Sequence, residues 1–216
     1  MYFNPSEMKT TTTITSSFLS SITYAEYRNK VTKLLLQGKS TGDEQSDDLL
    51  NYSKLNETRM NRLDKTIHVG KSNEQALNAL HNDYYWLVLA EGWCGDAAQL
   101  LPIFNKMANA THKIELKILF RDENEALMNM FLTNGSRSIP KLIVLEKKTM
   151  QLKGSWGPRP EGATNLIKSY KQQYGVVDET AKTELQLWYL HDKGLSTQKE
   201  LIALMQHLEQ LNLQTK

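Results

Sequence analysis

The chain has 216 residues, 23% of them charged, with a net charge of +2 and a single cysteine. That length suits one domain of ordinary size with additions rather than two full domains. The balanced charge gives neither a nucleic-acid stripe nor an acidic solvating tail, so no nucleic-acid partner is implied, and one cysteine excludes an internal disulfide framework. No run of about 18 apolar residues is present and the first residues lack a signal-peptide core, so the expectation is a cytoplasmic protein without a membrane partner.

Residues 1–21 are polar, rich in threonine and serine and without periodicity, and read as a loose arm. Thr23 to Glu26 has the spacing of a capping box, and Tyr27, Val31, Leu34 and Leu35 follow at helical intervals. Residues 38–48 read as a loop and 49–63 as a second helix through Leu50, Leu55, Met60 and Leu63. Residues 66–69 suit an edge strand, and Ser72 to Gln75 offers another capping box ahead of Ala76, Leu77 and Leu80.

Residues 84–90 form a continuous apolar run of strand length, the pattern of a strand buried on both faces. The helical segment after Cys94 carries Leu100, Leu101, Ile103, Phe104 and Met107 and is interrupted by Pro102, which predicts a bend. Ile114, Leu116, Ile118 and Phe120 alternate as a strand, 122–133 reads as a helix, and Leu142 to Leu145 is a further apolar strand followed by a hairpin into 151–154. A helix is expected from Pro160 through Leu166, Ile167 and Tyr170. Beyond 176, amphipathic helices broken at Gly194, with a capping box at Thr197 to Glu200, form a C-terminal extension that packs on the domain.

The cysteine lies in Ala90-Glu91-Gly92-Trp93-Cys94-Gly95-Asp96-Ala97, after the apolar strand and before a helix. A thiol in the first turn of a helix meets unpaired N–H groups and the positive end of the dipole, both of which favour the thiolate. Against this stands the ordinary role of a lone cysteine as a small buried hydrophobe. Gly95 beside the sulfur lets another backbone approach closely. Asp96 suits the helix N-terminus, yet as a like charge it opposes the thiolate.

Three features carry a resemblance: Trp93-Cys94-Gly95 after the central strand, Pro102 in the following helix, and Ser138-Ile139-Pro140 before the next strand. Together they make residues 67–174 similar to the thioredoxin superfamily, and the whole chain resembles thioredoxin-like proteins with Trp-Cys-Gly-Asp in place of Trp-Cys-Gly-Pro. The resemblance implies an α/β thioredoxin-like fold, a central mixed sheet with helices on both faces, with helical extensions at both ends. It implies three parts: 1–65 as arm and helical extension, 66–175 as the thioredoxin-like domain and 176–216 as the C-terminal extension. It further implies Cys94 as nucleophile, a cis Ile139–Pro140 bond facing it, and Trp93, Gly95, Asp96, Ile139 and Pro140 as the substrate-binding surface.

Two departures limit the reading. Ala97 stands where a dithiol enzyme has its resolving cysteine, so release of a mixed disulfide must come from an external thiol. The buried acid expected six residues before the nucleophile is Val88, or Leu87 if Gly92 is an insertion.

Expected partners are therefore a protein or a low-molecular-weight thiol or disulfide, with no cofactor. The alternatives are a redox-silent thioredoxin-fold binding module, an iron–sulfur carrier, and a Cys-His hydrolase. The five histidines show no ligand spacing, so no metal site is expected. Asn56, Arg59 and Arg62 are candidates to reach the thiol's surroundings, where an arginine would restore the thiolate preference, and residues 156–160 suit the rim of a groove or, as the favoured reading, a rigid turn feeding the last helix of the fold.

Overall fold

The structure, a computed structural model, describes residues 5–214, with side-chain surroundings over 10–211. Its sheet has four strands, β1 (Tyr84–Ala90), β2 (Ile114–Phe120), β3 (Lys141–Glu146) and β4 (Leu152–Trp156), in the order β2-β1-β3-β4. β1 pairs parallel with β2 and antiparallel with β3, and β3 pairs antiparallel with β4. Parallel pairing requires a crossover, and the helix α5 (Gly95–Asn109) supplies it between β1 and β2.

Because successive residues of a strand point to opposite faces, β1 has two apolar sides. Trp86 meets the ring of Phe104 of α5 edge-on, and its indole N–H points to the sulfur of Met205 on the C-terminal helix α9 (Leu195–Gln214). Tyr84, on the same face, donates its hydroxyl to Glu209 of α9 over 2.6 Å. On the other face Tyr85 packs at 4.5 Å between ring centres against Phe18 of α1 (Pro5–Leu19). Both faces are thus covered by helices, and every residue of β1 except Tyr85 is buried.

The N-terminal segment departs from expectation. Where sequence suggested a loose arm, α1 is a helix whose Ile14 is buried, while residues 1–4 lie outside the described range. Its threonines and serines are weak helix formers, and burial of Ile14 and Phe18 against the domain outweighs that propensity. The next helix, α2 (Tyr24–Leu36), carries both arms of the capping box between Thr23 and Glu26. α3 (Asp47–Thr66) is anchored to α2 through Arg28, which pairs with Glu57 at 2.9 Å and with Asp64.

Three other expectations fail for local reasons. Residues 66–69 form no strand, since Ile67 caps α3 and the carbonyl of His68 accepts from Gln198 of α9. The helix α4 (Lys71–Asn78) starts one residue before Ser72 with Gly70 as its cap, so Ser72 does not serve as one. The helix read over 122–133 shrinks to a 3₁₀ turn at Asp122–Asn124 and one turn of α6 (Glu125–Met128). Asn134 and Gly135 have positive φ, which closes a tight turn between Thr133 and Ser136 and cuts that helix short.

α7 (Glu161–Tyr174) begins after Pro160, which caps it, and α8 (Glu179–Asp192) packs against it. A Cβ on Gly162 would lie 2.7 Å from the ring of Trp188, so only glycine permits this approach of α7 to α8. α9 starts directly after Gly194, leaving Thr197 buried inside the helix rather than capping it. Its intended partner Glu200 instead accepts from the Trp156 indole and the backbone N–H of Glu161, each at 2.8 Å. Pro102 lies inside α5 without ending it.

Candidate functional site

The β1–α5 junction is built to present a sulfur. Cys94 has extended backbone geometry and caps α5, its Sγ accepting from the N–H of Ala97 at 3.4 Å. On its other side the thiol donates to the carbonyl of Ile139 at 3.4 Å, the oxygen of the Ile139–Pro140 peptide, which is cis. Gly92, two residues earlier, is held at both backbone groups by side chains from the N-terminal third. Its N–H donates to Thr41 Oγ1 at 2.8 Å and its carbonyl accepts from Asn56 Nδ2 at 2.9 Å.

Asp96 does not face solvent. Its Oδ1 accepts from the hydroxyl of Tyr189 at 2.8 Å and its Oδ2 pairs with Arg159, at 2.8 Å to Nε and 2.6 Å to Nη2. Arg159 follows Gly157 and Pro158, and Tyr189 lies on α8, so the turn after β4 and a C-terminal helix meet at the residue next but one to the cysteine. Burial and then the Asp96 charge hold the Tyr189 hydroxyl far above its ordinary range.

Cys94 is 8% exposed and so largely shut away from water. Burial pushes its thiol up to about 12, and the Asp96 carboxylate adds to the rise. The N–H groups of Ala97 and Asp96, and the charge of Arg159, pull the other way and do not overcome it. The expected thiolate preference at the helix terminus therefore loses to desolvation, the larger effect for a sulfur shut away from water.

A cleft of about 660 Å³ opens over this thiol. Trp93, Cys94, Gly95, Asp96 and Ile139 line it, whereas Pro140 is buried behind Ile139 and does not. α3 gives it Leu49, Tyr52, Leu55 and Arg59, and α8 gives it Leu185 and Gln186. Trp93 is overlaid by the Arg121 guanidinium at 4.8 Å from the ring centre. Arg59 reaches the site as expected, donating to Asn56 Oδ1 at 2.9 Å, while Arg62 lines a neighbouring hollow.

Sequence reasoning missed Tyr189 and the pairing of Arg159 with Asp96. The turn at 156–160 contributes Pro158 and Arg159 to the cleft in addition to leading into α7. It also missed a buried acid, for Val88 and Leu87 are apolar core while Glu91 is fully buried and accepts from the N–H of Asp122 at 3.0 Å. Burial pushes the Glu91 carboxyl up to about 7, although Thr41 and the Asp122 N–H act against the rise. An acidic residue at the end of an apolar strand was the available signal. Among the described residues no group of three or more His, Cys, Asp or Glu side chains is placed to hold a metal, and no helix is long and apolar enough to cross a membrane.

A parallel β1–α5–β2 unit extended by an antiparallel hairpin, with a cysteine capping α5 opposite a proline loop, defines a thioredoxin-like fold with one cysteine at its site. Residues 42–171 match the family model described as Thioredoxin, and the chain belongs to that family. The match begins at residue 42, ahead of the resemblance read from 67, and includes α3; α8, with Tyr189, lies outside it. Among solved structures, a protein of unknown function from Pseudomonas aeruginosa is similar at 17% identity and a TM-score of 0.56, covering 86% of this chain and 98% of that one. An HIV epitope-scaffold, 4E10, is similar at 18% identity and a TM-score of 0.53, covering 86% and 99%. At these identities the likeness concerns the fold alone. No curated protein matches the chain.

Proposed function

We propose that the protein carries out monothiol thiol–disulfide exchange with Cys94 as its nucleophile. The observation that supports this most is the placing of Sγ in the wall of a cleft, between the α5 N–H of Ala97 and the carbonyl of Ile139. In the exchange, the Cys94 thiol gives its proton to solvent base and the thiolate attacks one sulfur of a disulfide. The S–S bond breaks, its electron pair leaves on the other sulfur, and a mixed disulfide remains on Cys94. Ala97 offers no internal thiol, so a second, external thiolate attacks the mixed disulfide and restores Cys94.

A second reading, a redox-silent binding module of the same fold, draws support from the burial that pushes the thiol up to about 12. The two part on a mass measurement. Native protein incubated with a small disulfide in mildly alkaline buffer should gain one adduct, absent in Cys94→Ser and removed by dithiothreitol. If native protein stays unmodified while urea-unfolded protein is modified, the exchange reading is wrong and the binding module stands.

A further inference from the structure

The thiol cleft combines three properties that together select a class of substrate. Its volume, about 660 Å³, lies within the roughly 300–1,000 Å³ typical of small-molecule sites. Its walls are helices: α3 on one side and α8 on the other stand over the β1–α5 junction, Gln99 of α5 donating to Gln186 of α8 at 2.7 Å. Such walls suit a compact molecule better than an extended chain.

The third property is charge. Arg159 and Lys182 are paired with the lining carboxylates Asp96 and Glu179, and Arg121 and Arg137 have Asp122 and Glu125. Arg59 differs, for among the described residues it has no carboxylate partner. Its Nη1 donates to a neutral amide, Asn56 Oδ1, and lies 3.6 Å from where a Cβ on Gly95 would sit, next to the cysteine. Burial works against the charge of this guanidinium and Arg62 one turn away adds to the cost, while Asp96, itself held by Arg159 and Tyr189, offsets only part of it. A partly buried cation with no carboxylate in ion-pair contact gains most from an anionic ligand.

Resting on the exchange reading above, we propose that the substrate of Cys94 is a small disulfide bearing carboxylates, one of which pairs with Arg59 while the disulfide sulfur meets Sγ. The atoms balance as R–S–S–R plus Cys94 thiolate giving Cys94–S–S–R and R–S⁻. A small external thiol R′–S⁻ then gives R–S–S–R′ and the free thiolate.

The test uses the full chain and three alkyl disulfides of similar intrinsic reactivity: dithiodipropionate, an anion; hydroxyethyl disulfide, neutral; and cystamine, a cation. Rates of Cys94 adduct formation are divided by those of the same protein unfolded in urea, which removes reagent reactivity. We expect the normalised rate for the anion to exceed that for the neutral compound by about tenfold at low salt, with cystamine slowest. That advantage should shrink with added salt, survive in Arg59→Lys and vanish in Arg59→Met. Equal normalised rates across the three, or an advantage untouched in Arg59→Met, overturn the substrate class and leave the exchange reading standing. No adduct with any of them on native protein, with ready adducts on unfolded protein, sinks the exchange reading and this proposal with it.

Discussion

Tyr189 donates its hydroxyl to Asp96 over 2.8 Å, so a residue of the C-terminal helices holds the carboxylate next but one to the cysteine. Tyr189→Phe deletes one buried hydrogen bond to a charged acceptor. The variant should lose about 1–3 kcal/mol, seen as a lower urea midpoint with an unchanged slope. A midpoint equal to that of the wild type would show that the contact adds nothing.

Asp96→Asn removes the like charge that helps to raise the Cys94 thiol and leaves Arg159 without its counter-ion. The thiol should then ionise at lower pH, as followed by the ultraviolet absorbance of the thiolate. The same variant should be less stable than wild type, because breaking an ion pair with a buried member strands the remaining charge. An unaltered titration would assign the whole elevation to burial.

Alkylation of Cys94 by iodoacetamide should climb with pH and show no plateau in the range where an ordinary thiol, near 8.5, has levelled off. The folded thiol holds its proton up to about 12. Its contribution to stability is complete below the unfolded value and is lost as pH rises toward the folded one. A plateau below about pH 9 would mean that the sulfur is far better solvated than its 8% exposure implies.

Glu91 follows the same sign in a lower pH window. Its folded value of about 7 exceeds the ordinary 4.5, so the fold favours the protonated acid. Stability from this group is present at acid pH and falls as pH rises through that interval. Glu91→Gln, which mimics the neutral acid, should match wild type near pH 4 and exceed it by on the order of 3 kcal/mol near pH 8. Parallel stability profiles for the two proteins would remove the argument.

Gly157 has a φ of +113°, and a Cβ there would fall 2.4 Å from the carbonyl oxygen of Pro140. Backbone cannot swing aside as a side chain can. Gly157→Ala should therefore be strongly destabilising, by roughly 3 kcal/mol or more, and should lower the melting temperature accordingly. Wild-type melting behaviour in this variant would show that the turn relaxes freely.

Legibility in the sequence followed the range of the forces involved. β1 could be read to the residue because an apolar run of that length admits few alternatives, and the Thr23–Glu26 cap because its partners lie three residues apart. α1 was not legible, since its polar sequence becomes helical only by burying Ile14 and Phe18 against distant elements. At the site, Cys94 and its flanking residues announced themselves by position. Tyr189 did not, being separated from Asp96 by most of the domain, and the elevation of the thiol depends on how tightly α3, α8 and the Ile139 loop close around it. No local pattern encodes that closure.

The short link between α1 and α2 touches the sheet at one residue. Ile22 exchanges two backbone hydrogen bonds with Ile118, of 2.9 and 2.8 Å, along the outer side of β2. An unpaired strand edge is a template on which another copy can add a strand, and here the chain's own link occupies the middle of that edge. The N-terminal segment thus fills the position at Ile118 that an added strand would need. A chain trimmed to begin after Thr23 would lose this bridge together with the Phe18 contact to Tyr85, and leave the backbone groups of Ile118 on the outer edge of β2 uncovered.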